Sequence, residues 1–74
     1  MEPISREDLA EFIKNMRQTL GMNMTQFSKL TGISTQTLTK WERQEVYPKN
    51  IQASINKIRQ SVRVEIERRR REEA

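Results

Sequence analysis

Apolar residues recur at helical spacing along four stretches of the chain. From Arg6 to Leu20, the residues Leu9, Phe12, Ile13, Met16 and Leu20 share one narrow stripe, which predicts an amphipathic helix facing a core. Ser5 and Asp8 form its opening cap, Gly21 closes it, and Met1 to Ile4 is a short lead-in. The pattern resumes at Asn23, whose side chain suits the free amides of a helix start, with Gln26 placed to reach back. This second helix runs to about Thr31, with Phe27 inward beside Met24 and Thr31 and with Leu30 on its flank. Gly32 takes the positive φ that ends it, Ile33 bridges, and Ser34 caps a third helix reaching about Arg43. Gln44 to Asn50 is a loop in which Pro48 forbids helix, and Tyr47 is expected to lay its ring on the core edge.

Asn50 is a further N-cap, after which Ile51, Ile55, Ile58, Val62 and Ile66 keep the helical period without a Gly or Pro. A helix of about 20 residues reaches ~30 Å, longer than the rest of the domain needs. Its first half is expected to close the core, leaving Val62 and Ile66 beyond it, on a second chain or on a fraying end. The closing ERRRREEA has no apolar face. Its flanking glutamates favour a solvated end with pairs such as Glu67–Arg71 and Arg68–Glu72 over a basic arm on nucleic acid.

Helix, Gly-containing turn, helix across Asn23 to Arg43 is the spacing of a helix-turn-helix. The third helix has two unlike sides. Thr37, Leu38 and Trp41 fall on one; Thr35, Gln36, Thr39, Lys40 and Arg43 fall on the other, with Glu42 at the edge. Hydroxyls, an amide and a basic tip suit hydrogen bonding to base edges and phosphates. An ordinary solvated face would look similar in isolation, but the preceding helix and the basic surroundings favour nucleic acid.

Composition narrows the choice. Seventy-four residues make one small domain with little stability to spare. The chain has no cysteine and no histidine, which removes disulfides, thiolate metal sites and the commonest general base. No phosphate-binding Gly loop and no inward carboxylate pair remains to suggest an enzyme, and no cofactor or metal is expected. No apolar run has the length of a membrane span or signal peptide, so a cytoplasmic, nucleoid-associated protein is expected. The net charge of +4 is uneven: residues 1–20 carry −1, residues 21–50 carry +2 and residues 51–74 carry +3. One side is thereby biased toward a polyanion.

The segment FSKLTGISTQTLTKWER resembles the phage repressor/Cro-type (XRE-like) helix-turn-helix family, and the resemblance extends over about residues 9 to 50. Its pattern is met by Phe27-Ser28, Gly32, Ile33, Ser34 and Trp41-Glu42-Arg43, with Pro48 in the loop and Arg17 four residues before Gly21. The resemblance implies five helices around one core with the third in the major groove. It places Thr35, Gln36, Thr39 and Lys40 at base-reading positions. Phosphate contacts are expected from Asn23, Thr25, Ser34, Thr37, Arg43, Lys49 and Asn50, and Arg17 and Glu42 match a structural salt bridge. Three positions depart from the pattern. Met24 stands where Gln is common, Gln44 stands for the usual Gly, and a long charged segment replaces a short apolar fifth helix.

The expectation is therefore an all-α, compact four- to five-helix helix-turn-helix domain with an extended C-terminal helix. Residues 1–60 form the DNA-binding domain; residues 61–74 form a charged extension, either a dimerisation element or a frayed tail. The expected function is a sequence-specific double-stranded DNA-binding regulator, a repressor, acting as a homodimer on a two-fold site through Ile58, Val62 and Ile66. The alternative is a protein-interaction module of antitoxin or phage-adaptor type, with the helix-turn-helix as scaffold.

Overall fold

The computed structural model describes residues 4–73; apart from Ile4, the lead-in lies outside them. Four helices follow one another: α1 (Arg6–Leu20), α2 (Met24–Thr31), α3 (Thr35–Glu42) and α4 (Ile51–Glu73). Their starts are set by short polar side chains. Ser5 accepts from the Asp8 amide, Ser34 from the Thr37 amide and Asn50 from the Ala53 amide. Asn23 and Gln26 form a full capping box, each side chain accepting from the other's backbone at 2.8 and 3.0 Å. Each such cap stabilises its helix by about 1 kcal/mol.

Helices α1 and α2 end on Gly21 and Gly32, both left-handed with φ +65° and +76°. Helix α3 ends in the same way without a glycine. The Gln44 amide donates to Trp41 O and the Glu45 amide to Lys40 O, the paired bonds of a Schellman turn. Gln44 takes the left-handed position at φ +65°. Glutamine in place of glycine therefore changes the strain at this turn and leaves its shape intact.

The core is one cluster in which Leu9, Ile13, Phe27, Leu38 and Ile58 are fully buried. Trp41, Leu20, Ile55 and Val62 surround them. Helix α1 packs on α3 and α4, and α2 packs on the same two, so α3 is cradled by α1 and α2. Between them Ser28 donates to Ile33 O, and Thr31 donates to Phe27 O while accepting from the Ile33 amide, which fixes the turn. The Tyr47 hydroxyl donates to Ile4 O, pinning the α3–α4 loop to the start of the described chain.

The expected four- to five-helix domain forms with four helices among the described residues; the fifth that the resemblance implies is not formed there, because residues 43–50 stay in turns and α4 carries the remaining chain as one piece. The second half of α4 also does not project past the core. Val62 is buried and Ile66 half-buried against α1, and the stripe continues through Glu65 and Arg69. Glu65 is buried, covered by the exposed Arg68 and the half-buried Arg69: Arg68 donates to both its oxygens and Arg69 to one. Arg69 also donates to Leu20 O at 2.9 Å, closing a bare carbonyl at the end of α1. Hydrogen bonds from Arg68, then Arg69, hold the Glu65 carboxyl at a pKa of about 2, well below its ordinary value. The Arg68–Glu72 pair forms as well.

Candidate nucleic-acid interface

Helix α3 is positioned by its inner side. Leu38 is fully buried and Trp41 nearly so, which fixes the rotation of the helix about its axis. That rotation turns Thr35, Gln36, Thr39, Lys40 and Arg43 outward along one shallow, open depression. Thr35, Gln36, Lys40 and Arg43 are exposed and Thr39 half-exposed. The four residues assigned to base reading are thus brought together on one free surface.

The remaining assignments fall around this strip. Ser34 donates its hydroxyl proton to Thr37 Oγ1 at 2.8 Å and accepts from the Thr37 amide at 3.2 Å. Among the described residues the Thr37 hydroxyl proton has no acceptor, which leaves it available to one from outside. Asn23 and Asn50 use their carbonyl oxygens as caps, which leaves both side-chain NH₂ groups free to donate. Thr25, Arg43 and Lys49 are exposed. All seven belong to helix starts or to the loop after α3, where unpaired amides and cations suit phosphate oxygens.

Arg17 Nη2 donates to Glu42 Oε1 at 2.8 Å, both side chains largely buried. This pair joins α1 to the last turn of α3 and draws Glu42 away from the exposed strip. Only one arm of each group is used: Arg17 Nε and Glu42 Oε2 are buried without a partner among the described residues. Ile58 and Val62, expected at a dimer contact, are spent in the chain's own core, with only Ile66 of the three half-exposed.

Sequence reasoning missed one member of the strip. Glu45 lines its rim, brought there by the left-handed residue at Gln44 that swings the chain back toward α3. The signal was present: glycine is usual at position 44, and a left-handed residue there turns the next side chain back along the helix.

A family model described as helix-turn-helix matches residues 13–51, the span from the middle of α1 to the first residue of α4. No curated protein and no solved structure gives a significant match.

Proposed function

The chain belongs to the XRE-like helix-turn-helix family of DNA-binding regulators, and on that premise we propose that α3 enters the major groove of a specific duplex site. The observation that carries this reading is the shared exposure of Thr35, Gln36, Thr39, Lys40 and Arg43 on one open face. Gln36 pairs with an adenine edge through both amide groups, and Lys40 donates to guanine or to a phosphate. The Thr35 and Thr39 methyls lie against thymine methyls. Asn23, Thr25, Ser34, Thr37, Lys49 and Asn50 grip the backbone on either side, and Arg43 closes the strip on a phosphate. Glu45 at the rim repels phosphate, so a strip seated off register is penalised.

The mechanism is occupancy. Two copies on a two-fold site, half-sites about one helical turn (~34 Å) apart, block polymerase and repress. With Lys40, Arg43 and Lys49 on phosphates, each copy neutralises two or three charges, so log affinity falls with log salt at a slope of about −2 to −3 per copy.

Selection of bound DNA from a random pool, followed by gel shift of the recovered site across salt concentrations, tests the proposal. A recovered motif with dyad symmetry and a selective fraction that survives rising salt supports it. Recovery of no motif, with affinity tracking salt alone, rejects it.

A further inference from the structure

The long helix carries a second patterned surface that DNA binding by α3 does not use. Arg59, Arg63 and Arg70 fall within about 40° of one another around α4 and span ~16 Å of its length. All three are exposed, and none has a carboxylate within ion-pair distance among the described residues. Beside them lies an apolar floor: Met16 of α1 with Val62 and Ile66 of α4, the groove being rimmed by Arg59, Arg63, Glu67 and Arg70. Arg59 also stands over the Phe12 ring, 5.9 Å from its centroid, and so extends the floor by one aromatic edge.

Simpler roles for this surface each leave part of it unmatched. A solvated face needs no apolar floor, and the tail's Arg68 and Arg69 are already bonded to Glu65 and Glu72. A nucleic-acid backbone would leave the half-exposed Met16 and Ile66 unmatched and would meet Glu67. A second copy across a two-fold axis would set three arginines against three, with only Glu67 to answer them. The chain's own acidic stretch, Glu7, Asp8 and Glu11, has beside it only residues already packed in this chain: Leu9 and Ala10 are buried, and Phe12 lies against the core under Arg59.

We propose that this groove between α1 and α4 docks an acidic amphipathic helix of a partner protein. Its apolar stripe fills the floor, and its carboxylates, about one and three turns apart, meet Arg59, Arg63 and Arg70. No residue of α2 or α3 lines the groove, so the partner can sit there while α3 occupies DNA. Docking at this groove is independent of whether α3 binds a duplex.

The test uses the full chain and three designed helical peptides, followed by backbone amide chemical shifts at low salt. One peptide carries a leucine stripe edged by glutamates; one keeps the glutamates with serine for leucine; one keeps the leucines with lysine for glutamate. The first is expected to move Met16, Val62, Arg63 and Ile66, and the other two to bind at least tenfold more weakly. Arg63→Glu with Arg59→Glu, both exposed sites, should weaken the first peptide at least tenfold and bring in the lysine peptide. The proposal is overturned if the serine peptide binds as well as the first, or if the shifts map to Thr35–Arg43. It is also overturned if light scattering of the protein alone shows a dimer whose dissociation moves these same amides.

Discussion

Gln44 offers a direct measure of how much the turn after α3 is strained. Its φ of +65° lies in the left-handed region, where a Cβ crowds the following carbonyl at about 1–2 kcal/mol for an L-residue. Its side chain is exposed and makes no hydrogen bond among the described residues, so glycine loses no hydrogen bond there. Against the relief stands glycine's extra freedom when unfolded, about 0.5–1 kcal/mol. Gln44→Gly is therefore expected to stabilise the fold by about 0–1.5 kcal/mol, about 0.75 at the midpoint. For a domain of this size that midpoint raises Tm by roughly 3–6 °C. Gln44→Ala, which keeps the Cβ and removes the amide, should stay within about 0.5 kcal/mol of the parent. Thermal unfolding by circular dichroism, with urea titration alongside, reads both variants. A glycine variant that melts clearly below the parent refutes the Schellman assignment, and with it the placement of Glu45 beside the exposed strip of α3.

Four further outcomes are expected. Gln36→Ala should cost about 1–3 kcal/mol at one base pair of the selected site and relax preference there, whereas Arg43→Ala should weaken binding to all sequences alike and flatten the salt slope by about 1; gel shifts on single-base variants separate the two. Glu42→Gln breaks the half-closed pair with Arg17 and should destabilise by about 1–3 kcal/mol in urea, because the guanidinium loses its anion in a largely buried site. Ile58→Ala should cost about 2–5 kcal/mol, independent of protein concentration, since Ile58 is wholly inside one chain; a concentration-dependent loss would restore it to a dimer contact. Glu65 has a folded pKa of about 2, below its ordinary 4.5. Its contribution is therefore complete above about pH 4.5 and lost as pH falls toward 2. Melting curves of Glu65→Gln should show a shallower acid limb than the parent across that window; equal slopes would contradict the assignment.

Much of this architecture was legible because the signals are local. A side chain three residues from an amide either reaches it or does not, so Ser5, Asn23, Ser34 and Asn50 announce their helices without knowledge of the rest. The reading strip followed from the same logic, since burying Leu38 and Trp41 leaves only one way for Gln36 and Lys40 to point. The course of α4 was not legible. Whether Val62 and Ile66 meet α1 depends on a crossing angle between helices far apart in sequence. The residue that settles it, Glu65, is charged and so has no place in the apolar stripe from Ile51 to Ile66 that the sequence displays. It continues that stripe only because Arg68 and Arg69 close over it and Arg69 reaches Leu20 O. Glu45 was hidden for a different reason: its direction is decided by a left-handed residue that carries no glycine to mark it.

The cradling of α3 by α1 and α2 has a consequence for how such a protein changes over time. Thr35, Gln36 and Lys40 stand clear of the core that Leu38 and Trp41 complete. If α3 reads DNA as proposed, rewriting those three codons would change the sequence preferred while the melting behaviour stays almost untouched. Lineages could then drift from one duplex site to another without passing through an unfolded ancestor.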